Sequence, residues 1–300
     1  MSRTSAFLAL AEDVWTYAAR RRVLWIYLAL GALAALLAVL GIEVLPAEGD
    51  PGASEVHVVG LGMVYEVSEP AARAVPTAVT AAFQIVTVNA MRSFGVLLGV
   101  LATVTAVSGA FEPGRAELVV PRPLSRAGIV LARFGGVLSF GVVLALWPCA
   151  LAVLAAGVRH GVWLPELLLV GPPLALKFGV LAAVCTLAVV VTGSRALGVA
   201  VTVGVWFVSW SVNSGRGYVE NVPPGDQAAF LADLHDQVVW AQRLFPQVTL
   251  LDQLALSACG VAPEPLLAPW YSPAVVLVQA AVWVALPLVV CALVLSRRDL

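Results

Sequence analysis

Long stretches without a single charged side chain dominate this chain, and they constrain its fold before anything else is read. Residues 23–42, 93–111, 134–158 and 273–296 contain no Asp, Glu, Lys or Arg. A hydrocarbon core of about 30 Å takes about 20 such residues as a helix. The composition agrees: 61% of the residues are hydrophobic and 12% charged, where a soluble domain is about half apolar and a quarter charged. The mean hydropathy of +0.95 points the same way. The chain therefore reads as an all-α, multi-pass membrane protein. A disordered chain, a nucleic-acid binder with a basic field and an ordinary cytoplasmic enzyme are excluded.

Six spans are predicted, over about 23–45, 81–111, 127–158, 164–192, 196–212 and 272–296, in one transmembrane domain covering 1–300. External segments fill 46–80 and 213–271. The arginines set the orientation, because short cytoplasmic loops collect them. An inside N-terminus places Arg3, Arg20, Arg21, Arg22, Arg115, Arg122, Arg126, Arg195, Arg297 and Arg298 on one face, against Arg73, Arg159, Arg216 and Arg243 on the other. Both termini are thus expected in the cytoplasm. The first span reads as an uncleaved anchor, since its basic flank lies some twenty residues in and its apolar run outlasts that of a signal peptide. Lys177 is the only lysine. That bias toward arginine suits a high-GC bacterial genome and hence a bacterial cytoplasmic membrane.

Outside the spans, residues 5–22 repeat Phe7, Leu10, Ala11, Val14 and Ala18 at helical spacing and end on three arginines. This predicts an amphipathic interfacial helix whose basic end suits both the helix dipole and anionic headgroups. Partial alternation over 55–67 predicts a short strand or hairpin. In the larger external segment, Phe230, Leu234, Val238 and Leu244 predict a helix ending before Pro246, and the apolar stretch 248–256 is expected at the outer membrane surface.

The chemistry of catalysis is missing. No phosphate-binding loop and no H-E-x-x-H occurs. His57, His160 and His235 are all read as loop residues, which leaves no membrane-embedded histidine for proteolysis or haem ligation. The four cysteines, Cys149, Cys185, Cys259 and Cys291, are too scattered for a metal cluster and read as small hydrophobes. The chain is therefore expected to be non-catalytic, with no cofactor or metal of its own.

Three basic residues fall in or beside spans, where burial is expensive. Arg92 lies near the outer end of the second span. Arg133 follows Arg126 by seven residues, roughly 10 Å along a helix. Lys177 lies about 24 Å from the inner end of its helix and so about 6 Å below the outer boundary. Each is within reach of an interface by snorkelling. Lys177 is the best candidate for a pathway residue, because Pro172 and Pro173 beside it can open the helix; in that role it faces a water-filled cavity and holds an anionic group.

The most informative segment is 112–126. Pro113 and Gly114 break the second span, 115–120 can form a turn and a half of helix, Pro121 and Pro123 end it, and Ser125 can cap the third span. Such a short, stiffly bracketed helix suits a lever pushed by another subunit, and equally an ordinary connector. Its pattern resembles the ABC-2 type permeases, the membrane subunits of a class of ATP-driven exporters, and among them the nitrous-oxide-reductase maturation permease. The matching positions are Glu112, Gly114 and Arg115, then Pro123, Ser125 and Arg126; the N-terminal amphipathic helix, the six spans and the final Arg297-Arg298-Asp299-Leu300 agree in layout. The outer segments are longer than that pattern.

The resemblance implies a coupling helix at 112–126, with Arg115 and Glu117 making polar contacts and Leu118 and Val119 apolar ones in the groove of a cytoplasmic ATPase. It implies two ATPase copies, which hold the ATP and Mg, and a second permease subunit, in a homodimer. It also implies export of a substrate through the lipid bilayer, with no nucleic-acid partner. A different class of function fits the same features: a scaffold or mechanical transmitter that acts on a periplasmic partner and passes nothing through its centre. An ion-coupled carrier fits less well, since no Asp or Glu sits centrally in any span.

Overall fold

The computed structural model describes residues 3–20, 22–46, 54–58, 63–67, 125–221, 228–258 and 272–297. Helix α1 spans Arg3–Arg20 and α2 spans Val23–Leu40. Arg22, at φ 61°, turns the chain between them in the left-handed region. The first predicted span is thus helical over 18 residues only, about 27 Å at 1.5 Å per residue. Gly41 caps it, and the chain goes directly into a strand.

That strand, β1 (Ile42–Pro46), is the first of three in an antiparallel meander with β2 (Ser54–Val58) and β3 (Met63–Val67). Val56 lies opposite both Val44 and Tyr65. The hairpin expected over 55–67 is present. The sheet is the departure from an all-α chain among the described residues, and β1 is the part that the apolar run concealed. Ile42 and Val44 continue the hydropathy of the helix, but their backbone groups pair with β2.

Helix α3 (Arg126–His160) begins where Ser125 accepts a hydrogen bond from the Gly128 N–H at 3.1 Å, the cap expected there. It ends at Gly161, whose φ of 67° suits the left-handed closing position. A 3-10 turn, Pro165–Val170, leads into α4 (Gly171–Thr192), so the fourth predicted span is a turn followed by a helix. Helix α5 runs Arg195–Asn221, well past the predicted end at 212. Its hydropathy falls there, but the 3–4 spacing continues through Ser209, Asn213, Arg216 and Glu220, so the helix persists as an amphipathic one. Helices α6 (Ala228–Leu244) and α7 (Leu250–Ala258) follow, and α8 (Pro273–Arg297) closes the fold.

Among the described residues, four helical stretches are long and apolar enough to cross a membrane, Gly128–His160, Pro165–Thr192, Arg195–Glu220 and Pro273–Arg297. The predicted second span at 81–111 and most of the 112–126 loop lie outside the described residues. Helix α4 is the centre of the bundle: 78% of its most apolar window is inside the protein, against 17% for α5 and 22% for α8. It packs against α3, α5, α7 and α8. At one end, Val130 of α3, Val190 of α4 and Cys291 and Leu295 of α8 form one cluster. At the other, Val180, Leu181, Val276 and Ala280 enclose Val248, Leu250 and Leu251. The bundle thus has two ends, one where α3 begins and α4 and α8 finish, and one capped by α7.

Candidate functional site

Two of the three membrane-level cations lie within the described residues, and both are held by carboxylates on short helices. Lys177 is in the second turn of α4. Its Nζ donates to Asp252 Oδ1 at 2.7 Å and Oδ2 at 2.9 Å, and the two side chains are only 4% and 6% exposed. Rather than snorkelling out to an interface, the ammonium is closed off by protein. Asp252 reaches it because Val248, Leu251, Asp252 and Ala255 recur at helical spacing and all four are buried. The carboxylate also sits in the first turn of α7, where the helix dipole favours a negative charge. The stretch expected at the outer membrane surface is therefore packed into the bundle. Its signal was in the sequence, as the one charged residue inside a largely apolar run.

Arg133, in the second turn of α3, donates from Nη2 to Asp13 Oδ2 of α1 at 3.2 Å. The arginine is 7% exposed and the aspartate 44%. The predicted apolar stripe of α1 is the face that packs: Leu10, Val14 and Ala18 are buried, and Val14 lies against Phe134 and Val137. Gly136 permits the approach, since a Cβ there would come within 2.7 Å of the Ala11 carbonyl oxygen. Trp15 adds a hydrogen bond from Nε1 to Ser139 Oγ at 3.0 Å and an edge-on contact with Phe140. This helix is docked on protein along its apolar face.

Beside the Lys177 pair lies a polar network that the sequence reading missed. Arg216 pairs with Glu220 at 2.9 Å and donates to the Gln242 side-chain oxygen. The Gln242 amide donates to Asn213 Oδ1 at 3.0 Å, and Asn213 donates to Thr249 Oγ1. Gln247 and Gln279 both donate to the Gln242 carbonyl, the latter at 3.0 Å. Side chains from α5, α6, α8 and the 246–249 turn are thereby tied together. Asn213, Arg216 and Glu220 on one helix face were the available clue.

The remaining predicted positions divide cleanly. Ser125 caps α3 and Arg126 is its first residue, while Glu112, Gly114, Arg115, Glu117, Leu118, Val119 and Pro123, and also Arg92, lie outside the described residues. The histidines were misread as loop residues: His57 is in β2, His160 ends α3 and His235 is in α6. Cys149, Cys185 and Cys291 are buried, as expected of small hydrophobes, and Cys259 lies outside the described residues. Among the described residues no group of His, Cys, Asp or Glu is arranged to hold a metal ion.

Fold and site together define a helical protein whose long apolar helices are compatible with multi-pass membrane insertion, with a buried ion pair in its central helix. The chain matches no known family model and no curated protein sequence.

Proposed function

We propose that this chain is the permease subunit of an ATP-binding-cassette exporter, with six spans, both termini in the cytoplasm of a bacterium and no catalytic site of its own. Two copies of a separate ATPase hold the ATP and Mg and push on the 112–126 loop, and two copies of this chain form the transmembrane unit. The observation that carries the reading is the joint at the base of α3. Ser125 fixes the helix start directly after the proposed lever, and α1 is packed across the next turns through Asp13 and Arg133. A push on the loop is transmitted to a long helix whose base is fastened to a helix at its side. Such a drive needs a bundle with two states of similar energy that a partner biases.

The test is nucleotide hydrolysis coupled to transport in the reconstituted complex. Arg115→Ala together with Glu117→Ala is expected to leave the protein folded and the ATPase active while abolishing substrate-stimulated hydrolysis. Wild-type coupling in that double variant overturns the assignment of the loop.

One observation favours a second reading, in which the chain transmits force to a periplasmic partner without moving cargo. Lys177, the cation best placed to hold an anionic cargo group, already holds the Asp252 carboxylate, and α4 fills the centre of the bundle. Hydrolysis that responds to a periplasmic protein and to no small substrate supports this alternative.

A further inference from the structure

Helix α6 returns along the helix before it. His235 Nε2 lies 3.8 Å from Glu220 Oε1, Val238 comes against Gly215, and Gln242 is hydrogen-bonded to both Arg216 and Asn213. Rising numbers in α6 meet falling numbers in α5, so the two helices form an antiparallel hairpin. The last turn of α6 therefore comes back to the level of the long apolar helices.

Two separate ties fix the depth of that turn. The Gln242 amide donates to Asn213 Oδ1 at 3.0 Å, and Gln279 Nε2 donates to the Gln242 and Arg243 carbonyls at 3.0 and 3.2 Å. Asn213 is 18 residues along α5 from Arg195, and Gln279 is 18 residues along α8 from Arg297. Both arginines are exposed and stand at the end of the bundle where α3 begins, since α4 finishes just before Arg195 and Leu295 shares a cluster with Val130 and Val190. At 1.5 Å per residue each count gives about 27 Å. With the arginines at one boundary of a hydrocarbon core of about 30 Å, Gln242 lies just inside the other.

The open face of α6 changes along its axis as a membrane surface does. Counted from Gln242, Leu244 falls about 6 Å inside that boundary, Trp240 on it and Asp236 about 6 Å beyond it. Trp240 and Leu244 are 62% and 63% exposed, and Asp236 and Arg243 are exposed with them. Tryptophan favours the headgroup level, where its ring can be both apolar and wet. Leucine suits the acyl chains, the Arg243 guanidinium can reach up to lipid phosphate, and the Asp236 carboxylate is left in water. A protein interface imposes no such ordering by depth.

We infer that the last turn of α6 is a phospholipid anchor, with Trp240 at headgroup level and Leu244 in the acyl layer. It ties the α5–α6 hairpin to the leaflet at the end of the bundle that α7 caps. The anchor rests on insertion of the long apolar helices in a bilayer and not on an ATPase, so it is tested without one. Full-length protein is reconstituted in phosphatidylcholine nanodiscs. These contain a phosphatidylcholine with a diazirine beside the glycerol or, separately, at the methyl end of its acyl chain. After illumination, labelled positions are mapped by peptide mass spectrometry. Leu286, exposed on α8 and about 16 Å from Arg297, reports the middle of the core.

Residues 240–244 are expected to take at least about five-fold more label from the glycerol-end probe than from the tail-end probe, and Leu286 the reverse, as depths half a core apart require. Label at Leu286 with none at 240–244 from either probe overturns the anchor and leaves that turn facing water or protein. Equal or greater labelling of 240–244 by the tail-end probe overturns its place at the interface. No label at Leu286 removes the membrane insertion on which the anchor depends, which is a different failure from the other two.

Discussion

Helix α1 lies against α3 with Asp13 on Arg133, and α7 lies against α4 with Asp252 on Lys177. In both places a short amphipathic segment brings a carboxylate to a cation that interrupts a long apolar helix. The difference is exposure. Asp13 is nearly half exposed, so water screens its pair, whereas both partners of the Lys177 pair are buried. With one partner in water, the Asp13 pair lies nearer the range of about 0–1 kcal/mol found for surface pairs. Breaking a buried one by removing a single partner costs about 3–5 kcal/mol, because the remaining charge has nowhere to go. One end of the bundle is thus held mainly by apolar packing and the other by charge as well. In the proposed permease, the end that an ATPase pushes is the end with the weaker electrostatic fastening.

The comparison breaks first at Lys177. Lys177→Met and Asp252→Leu are each expected to destabilise the protein by about 3–5 kcal/mol in a detergent melting series, while the double variant recovers most of the loss. Additive losses would mean that the two charges are not coupled. Next comes the packing of α1. Gly136→Val drives a side chain into the Ala11 backbone, which cannot yield as a flexible side chain would. A loss of about 1–3 kcal/mol is expected, together with faster proteolysis within 3–20; unchanged protection there would contradict the close approach.

Smaller effects sharpen the same contrast. Arg22→Gly relieves the left-handed turn between α1 and α2 and should raise stability by about 1 kcal/mol. A drop in melting temperature would show that the arginine side chain matters more than its backbone. Asp13→Asn is expected to change stability by less than about 1 kcal/mol, with the difference fading as salt is added. A loss as large as that of Asp252→Leu would erase the distinction between the two ends.

The sequence made visible whatever depends on local pattern. The cap at Ser125, the helix ending before Pro246, the hairpin at 54–67 and the packed stripe of α1 all follow from residues within a few positions of each other. The cations were visible too, because a charge stands out in an apolar run. Their partners were not. Asp252 is 75 residues from Lys177 and Asp13 is 120 from Arg133, and no local period connects such positions. Helix α5 continues past 212, where the predicted fifth span ends, for a related reason. Hydropathy measures compatibility with lipid, and a helix that continues into a polar network loses that compatibility without losing its hydrogen bonds.

The most direct test is affinity purification of the tagged full-length protein in mild detergent, with and without ATP, followed by identification of what co-purifies. The permease reading predicts a stoichiometric soluble subunit carrying a phosphate-binding loop, retained by wild type and lost when Arg115 and Glu117 are both changed to alanine. Absence of any ATPase partner under every nucleotide condition would contradict it, because that reading assigns ATP hydrolysis to a separate chain.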